Sequence, residues 1–367
     1  MHKKIFILFN FSIFFIAQIF SFSPKNLIYI AKAQKEKNSD FSIHNIEENL
    51  SNNENTESEQ KAENASSFQF ENEKTLSGME KALAGEPLFI EDFFDENEEL
   101  PFSALTLFAY QRAYNQKQMQ VFYKNNDWCI ELDGKTFAWA EGRLLPIEKL
   151  EQAQKYGLQK IYPYTGESRN PDLYTKEEIA ELKKLGTKAS IQNEKPVDNT
   201  FTALLLSGQN RATMEKHIVK STLFGKRANV NQLIVPMVEK INAEVEELAK
   251  TNEEVKAFIN KIYQIGAYNW RTIDGTAGRP SYHCYGVAID ITEANNQKVV
   301  YWEWERVWNE NWMLVKQNRL WSPPVEVIKI FEKYGFIWGG TWDEYDTMHF
   351  EYRPELIELN RLMCGVY

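Results

Sequence analysis

The sequence Ser281-Tyr282-His283-Cys284-Tyr285-Gly286-Val287-Ala288-Ile289-Asp290 joins a polar turn to a short apolar run. The apolar residues of 287–291 predict a short buried strand. His283 and Asp290 are seven residues apart, a spacing that would separate them by about 10 Å along a helix and place them on opposite faces of one flat strand. Gly286 permits a turn or bulge that brings both side chains together. Cys284 should point the other way and is therefore a poor candidate ligand.

A second polar stretch follows later, Gly339-Gly340-Thr341-Trp342-Asp343-Glu344-Tyr345-Asp346-Thr347-Met348-His349-Phe350-Glu351. An imidazole three residues after a carboxylate can lie beside it on one turn of chain. Two histidines and one carboxylate leave a fourth position on zinc open for water, which is the ligand count of a catalytic site rather than a structural one. A further carboxylate that does not bind the metal would then take a proton from the water.

Predicted helices and strands alternate around these two stretches. Apolar spacing predicts a helix that ends near Leu248, and Thr251 with Glu254 forms a capping-box signal for the next helix. Residues 322–324 begin another helix, which Gly335 ends before a predicted strand at 336–338. A four-residue repeat of tryptophans predicts the buried face of one more helix, with a glycan-binding platform as the alternative. These tryptophans are Trp304, Trp308 and Trp312.

The region upstream divides into three further segments. A basic start, an apolar run and Ala31-Lys32-Ala33 predict a signal peptide over 1–33, with an uncleaved membrane anchor as the alternative. Residues 34–98 are rich in Glu, Asn, Ser and Gln and are predicted to form a disordered acidic linker. Residues 99–195 are predicted to form a small α+β module, with a helix over 103–114 and a hairpin that turns at Asp133-Gly134. Residues 196–367 form the remaining domain.

Composition excludes several classes of protein. The chain carries 42 Lys+Arg against 52 Asp+Glu, a formal net charge of −10, which disfavours nucleic acid and anionic membrane as partners. Membrane contact is expected only through an uncleaved leader. Three widely spaced cysteines exclude a disulfide-rich scaffold and a cysteine-cluster zinc finger, and they allow at most one disulfide.

Two motifs together suggest a family. Ser281-x-His283-x-x-Gly286-x-Ala288-x-Asp290, followed by Trp338-Gly339-Gly340-x-Trp342 and Asp346-x-x-His349-Phe350, resembles the VanY-like zinc D-alanyl-D-alanine carboxypeptidases. The L-alanyl-D-glutamate endopeptidases of phage and bacilli belong to the same group. The resemblance covers about 224–354, and the aspartate at 346 together with the Trp-Gly-Gly-x-Trp stretch favours the endopeptidase branch.

The resemblance implies a set of roles for the residues of this chain. It implies one zinc ion per chain, with Asp346 as the general base and Arg271 as the group that stabilises the oxyanion. Glu351 is the alternative base, because it would share a strand face with His349. Ser281 and Trp342 are candidate substrate-binding residues. The zinc ligands implied are His283, Asp290 and His349.

We therefore expect an α+β fold in which helices pack on a small antiparallel sheet that carries the zinc site. The expected activity is hydrolysis of a peptide bond in peptidoglycan stem peptides, in the periplasm or cell envelope or after secretion. Two alternatives remain: a non-catalytic cell-wall binding module that keeps the zinc fold, and an adhesin that uses the aromatic residues of the 99–195 module.

Overall fold

The computed structural model describes residues 76–94 and 100–366. The predicted signal peptide and most of the predicted linker lie outside these residues. Within the two described ranges, no helix has both the length and the apolar character that a membrane span requires.

We call the described residues up to 175 the first module. It contains two α-helices and a four-stranded antiparallel sheet in the order β1-β2-β3-β4. The predicted hairpin is confirmed, since Asp133 and Gly134 both have positive φ and connect strands that pair from Leu132 to Lys135. One face of the sheet packs on the second helix. The elements are α1 Gly78–Ala84, α2 Phe102–Ala113, β1 Gln120–Lys124, β2 Asp127–Leu132, β3 Lys135–Ala138 and β4 Leu145–Pro146.

The predicted linker ends earlier than the composition suggests. Residues 76–94 form α1 and a 3-10 turn over Ile90–Phe93, and the Leu88 N–H donates to the Val121 carbonyl oxygen at 2.7 Å. The prediction of disorder is therefore wrong for 76–94. A few apolar side chains within this polar stretch reach the core and offset the entropy of ordering it. These are Met79, Leu88, Ile90 and Phe93.

A helical segment and a hairpin connect the two sheets. The signal for a cap at Thr251 is wrong by one residue, because the Asn252 side chain accepts hydrogen bonds from the Glu254 and Val255 N–H groups and begins α8. The elements are α3 Lys176–Leu182, α4 Lys188–Asn193, α5 Thr200–Leu205, α6 Arg211–Glu215, β5 Ile218–Leu223, β6 Lys226–Asn231, α7 Val235–Leu248 and α8 Glu253–Lys261.

The second four-stranded sheet is antiparallel and has the order β7-β8-β10-β9. Helices pack against it, and the predicted α+β fold is confirmed. The elements are β7 Ile262–Gly266, β8 Ala288–Glu293, α9 Trp302–Arg306, α10 Val325–Lys333, β9 Phe336–Trp338, β10 His349–Tyr352 and α11 Pro354–Met363.

The prediction that three tryptophans form one buried helix face is wrong. Helix α9 ends at Arg306, so the four-residue repeat is not carried on one helix. Trp304 and Trp308 are 60% and 89% exposed, whereas Trp312 is buried on a separate 3-10 turn and its ring lies 4.7 Å from that of Trp302.

The hydrophobic core is continuous across the predicted boundary at residue 195. One cluster of buried side chains runs from Met79 to Leu362 and includes residues of both sheets. Helix α11, at the end of the chain, packs on α2 of the first module. The Tyr114 hydroxyl, just after α2, donates to Glu355 of α11 at 3.1 Å. The first module therefore packs against the helix that follows the second sheet.

Candidate metal centre

Asp290 on β8 and His349 on β10 lie directly opposite each other in the antiparallel register. Directly opposed residues of an antiparallel pair project from the same face of the sheet. His349 Nδ1 consequently lies 2.9 Å from Asp290 Oδ1. The pairing of two strands far apart in sequence thus brings the aspartate of the first motif to the histidine of the second.

His283 reaches the same point from a 3-10 turn over Tyr282–Tyr285 that precedes β8. Ser281 begins the turn, and its Oγ accepts the His283 backbone N–H at 3.3 Å. Gly286 ends the turn with φ of +65°, and a Cβ at this position would lie only 2.4 Å from Ile218 Cδ1. Both the positive φ and the lack of space require glycine. The predicted role of Gly286 as a turn is confirmed.

The three side chains form a cluster that fits a zinc ion. One ligand atom from each of His283, Asp290 and His349 lies within 4.8 Å of the others. His283 Nδ1 lies 2.6 Å from the Ala267 carbonyl oxygen, which places the proton on Nδ1 and leaves a lone pair on Nε2. That Nε2 is buried and, although 3.1 Å from Asp290 Oδ2, makes no well-oriented hydrogen bond. Two imidazole nitrogens and one carboxylate match the donors that catalytic zinc sites use.

The charges of the cluster depend on one another. Burial alone would raise the pKa of Asp290, but the close approach of His283 and the hydrogen bond with His349 hold that pKa well below its ordinary range. Burial would lower the pKa of His349, but hydrogen bonds to Asp290 and Glu351 raise it to about 10. A metal ion at this point therefore competes with a proton for His349 Nδ1.

A buried series of polar contacts engages the Nε2 atom of His349. His349 Nε2 lies 3.2 Å from Glu351 Oε2, and the Arg353 guanidinium lies 3.3 Å from Glu351 Oε1. Arg353 also pairs with Glu355 and lies 4.7 Å from the centre of the Tyr282 ring. Both oxygens of Glu351 are thus engaged. Such contacts orient a metal-binding imidazole and fix which of its nitrogens faces the metal.

Asp346 lies on the loop between β9 and β10. Its backbone N–H donates to the Gly339 carbonyl oxygen at 3.0 Å, and its backbone pairs with Tyr301 as an isolated bridge. A Cβ at Gly339 would lie 2.5 Å from the Asp346 carbonyl oxygen, so the close approach of these backbones requires glycine. The preceding Tyr345 is fully buried against Trp312. The loop is therefore anchored on both sides of Asp346.

Asp346 is half-buried, and its Oδ1 is shielded from solvent and has no hydrogen-bond partner among the described residues. Burial raises the pKa of Asp346 to about 7; the positive charges of His349 and Arg271 oppose this rise, and Asp290 adds to it. A carboxyl group with a pKa near neutrality can both accept and return a proton. An unpaired buried carboxylate beside a metal cluster marks a candidate functional group.

Arg271 reaches the cluster through backbone pairing. The Ser281 N–H donates to the Arg271 carbonyl oxygen at 3.1 Å, which places the arginine beside the turn that carries His283. A cleft of about 540 Å³ opens there and is lined by Arg271, His283 and Asp290 among others. The guanidinium is exposed in this cleft. The structure thus brings Arg271 to the same cleft as the metal cluster.

The two predicted substrate-binding residues occupy different positions. Ser281 is 4% exposed and caps the turn that carries His283, and it does not line the cleft. Trp342 is half-buried, and its ring lies 5.6 Å from the His349 ring. The Trp342 Nε1–H donates to the Tyr162 hydroxyl at 2.7 Å.

Sequence reasoning missed the residues that approach the site from the first module. Lys160 and Tyr162 contact Trp342, and the Lys160 carbonyl oxygen accepts a hydrogen bond from Arg353. Nothing in a single sequence links residue 160 to residue 342. The one available signal was the aromatic run Ile161-Tyr162-Pro163-Tyr164, which has more apolar surface than an exposed connection needs.

Comparisons with known proteins agree with the motif resemblance. Residues 274–352 match a family model described as D-alanyl-D-alanine carboxypeptidase. Residues 106–159 match a domain of unknown function. Over 78 residues the chain is 35% identical to the peptidoglycan L-alanyl-D-glutamate endopeptidase CwlK of Bacillus subtilis (strain 168). No solved structure gives a significant match.

The similarity to the curated relative is partial. The aligned stretch covers 21% of this chain and 42% of the relative, so the chain spans less than half of that protein's length. The family match includes the metal cluster and Asp346 but leaves out Arg271 and the whole first module.

Proposed function

We propose that this protein is a zinc-dependent peptidase that hydrolyses a peptide bond in peptidoglycan stem peptides. The observation that carries the proposal is the arrangement of His283, Asp290 and His349 with their ligand atoms within 4.8 Å, beside the unpaired buried carboxyl group of Asp346. The local similarity to a carboxypeptidase family and to an L-alanyl-D-glutamate endopeptidase supports the substrate class.

The residues of the chain would divide the reaction as follows. When bound by His283, Asp290 and His349, zinc would act as a Lewis acid and make a water molecule more acidic. Asp346 takes a proton from the attacking water at Oδ1 and passes it to the leaving amine. The guanidinium of Arg271 stabilises the negative charge that develops on the carbonyl oxygen.

Asp346 is a better candidate base than Glu351. Burial would raise the pKa of Glu351, but the hydrogen bond from His349 and the charge of Arg353 hold that pKa below its ordinary value. Glu351 is therefore a weak base whose two oxygens already have partners. Asp346 has a free oxygen and a pKa raised by burial to about 7. Glu351 orients His349, whereas Asp346 is available for proton transfer.

The residue at the position of the general base is the reason for the proposed scissile bond. An aspartate at 346, with the Trp338-Gly339-Gly340-x-Trp342 stretch, favours cleavage within the stem, and release of terminal D-alanine is the second candidate. A substrate in the cell wall requires export, and the predicted leader over 1–33 would provide it. We therefore propose a location in the periplasm or cell envelope.

Mass spectrometry of soluble peptidoglycan fragments incubated with the purified protein and zinc tests this proposal. New products that disappear with a chelator and return with added zinc are expected. Cleavage between the first two stem residues would establish the endopeptidase, and loss of a terminal alanine would establish the carboxypeptidase. Binding of one zinc ion without any new product would contradict the proposal and support a non-catalytic cell-wall binding module.

A further inference from the structure

A segment of the first module forms one wall of the candidate active site. Tyr162 accepts the hydrogen bond from Trp342 Nε1, and the Tyr164 hydroxyl accepts the Trp338 N–H at 3.1 Å. The carbonyl oxygen of Lys160 accepts a hydrogen bond from Arg353 Nη2 at 3.1 Å. Residues 160–164 are thus fixed to the second sheet by three hydrogen bonds, although they lie far outside the part of the chain that matches a peptidase family.

These contacts place the Lys160 ammonium over the ring of Trp342. Its Nζ lies 4.7 Å from the centre of the Trp342 ring, and that ring lies 5.6 Å from the His349 ring. A cation above an indole face is held by the ring electrons while its aliphatic stem packs on apolar surface. The Lys160 ammonium therefore contacts Trp342, which in turn lies beside the imidazole of His349.

The Lys160 ammonium has no ion-pair partner in 76–94 and 100–366. The nearby Glu351 is already engaged by His349 and Arg353. Burial raises the pKa of Glu344, and the positive charge of Lys160 opposes this rise without forming an ion pair. The lysine thus retains hydrogen-bonding capacity for a ligand.

The cleft beside His283 and Asp290 also carries positive charge. The 540 Å³ cleft is lined by Arg227 and Arg271, while its one acidic lining residue, Asp290, belongs to the metal cluster. The chain as a whole carries a formal net charge of −10. Arg227 and Arg271 in the cleft and Lys160 beside Trp342 therefore oppose the overall charge and favour an acidic peptide over a neutral one.

We propose that Lys160 binds a carboxylate group of the substrate peptide and thereby sets the specificity of the site for acidic stem peptides. The inference rests on the proposed function and extends it to a substrate feature. Stem peptides carry the α-carboxylate of a D-glutamyl residue either free or as a carboxamide. An ammonium distinguishes these two forms, because only the free carboxylate makes a charge-assisted hydrogen bond.

Two stem peptides that differ only in this carboxylate or carboxamide test the proposal. The full-length protein with zinc, Lys160→Gln and Lys160→Arg are compared by kcat/KM on each peptide. Lys155→Gln is the matched control, since Lys155 is an exposed lysine of the same module whose ammonium donates a hydrogen bond to Gln152. Lys160→Gln is expected to lower kcat/KM about 10- to 100-fold on the carboxylate peptide and less than about 3-fold on the carboxamide. Lys160→Arg should retain most of the preference, and Lys155→Gln should match the wild type.

The other outcomes separate this inference from the proposed function. An equal loss of kcat/KM on both peptides would mean that residue 160 only supports the wall. An unchanged preference of Lys160→Gln for the carboxylate peptide would mean that the lysine does not bind the carboxylate. Either result overturns the Lys160 proposal, while hydrolysis by the wild type would still support the proposed function. A wild-type protein that binds zinc and cleaves neither peptide would overturn both proposals.

Discussion

The two four-stranded sheets have the same antiparallel pairing and share one core, yet they bury different kinds of side chain. Strands β1 to β4 bury apolar side chains, among them Val121, Trp128, Ile130, Leu132 and Phe137. Strand β10 of the second sheet buries His349 and Glu351 as well as Phe350, and Arg353 follows directly behind it. Buried polar groups cost free energy unless they are paired.

The polar groups of the second sheet are paired in a chain. His349 contacts Asp290 on one side and Glu351 on the other, and Arg353 engages the far oxygen of Glu351. Asp346, with its unpaired Oδ1, departs from this pattern. The first sheet therefore contributes stability through apolar burial, whereas the second sheet carries the buried polar groups of the candidate site.

Removal of a metal ligand should give the largest effect. His283→Ala removes the imidazole that is one of the three proposed zinc ligands. Zinc affinity should therefore fall by more than about 100-fold, and hydrolysis should become undetectable. The measurement is zinc titration by calorimetry beside the hydrolysis assay. Cys284→Ala is the matched control, because Cys284 is buried next to His283 in the chain but is not part of the cluster. Loss of zinc binding in the cysteine variant instead would contradict the assignment.

Removal of a large side chain from the first sheet should affect stability alone. Phe137 is fully buried, and its ring lies 5.1 Å from that of Phe201. Phe137→Ala should lower the free energy of unfolding by about 3–5 kcal/mol, measured by denaturant titration. Zinc affinity of the folded variant should stay close to that of the wild type. Ile147→Ala, at a half-exposed position, should change stability by less than about 0.5 kcal/mol.

The comparison between sheets also shows what a single sequence can and cannot predict. Residues close in sequence gave correct local predictions: the hairpin at Asp133-Gly134 and the turn at Gly286 depend on backbone preferences that neighbouring residues determine. The convergence of His283, Asp290 and His349 could be anticipated only because two motifs resemble a family. The pairing of β8 with β10 that produces it is a long-range contact.

The errors have the same physical origin. The tryptophan repeat at 304, 308 and 312 has helical spacing, but helix α9 ends after Arg306 and leaves two of the three rings exposed. The wall formed by residues 160–164 depends on tertiary hydrogen bonds to Trp342 and Arg353, which no periodicity records. Tertiary packing therefore determined the features that local pattern did not predict.

Substitution of Glu351 should distinguish a residue that orients the metal-binding histidine from one that takes part in proton transfer. Glu351→Gln keeps the size of the side chain but removes the charge that holds His349. Zinc affinity should weaken about 10- to 100-fold, while hydrolysis should be regained at saturating zinc. Glu358→Gln on α11, where the glutamate pairs with Arg112 and Arg361, should leave zinc affinity unchanged. Hydrolysis that stays absent at saturating zinc would instead identify Glu351 as the base.

The pH dependence should report the ionisation of Asp346. Burial raises its pKa to about 7, and a base must be deprotonated to act, so activity is lost as the pH falls through that pKa. A nearby dication favours the ionised carboxylate and moves the midpoint lower. The profile of kcat/KM should therefore fall about tenfold per pH unit on its acid side, with a midpoint at or below pH 7. A rate that rises on acidification from neutral pH would contradict this role.

The metal cluster and the base are proposed to be separate parts of one site, and Asp346→Asn removes the base while leaving the cluster in place. Zinc content and hydrolysis of the same peptidoglycan fragment should be measured side by side for the wild type and this variant. One zinc ion is expected in both proteins, with a loss of hydrolysis of about 100- to 10,000-fold in the variant. A variant that keeps both its zinc and near-wild-type hydrolysis would contradict the account.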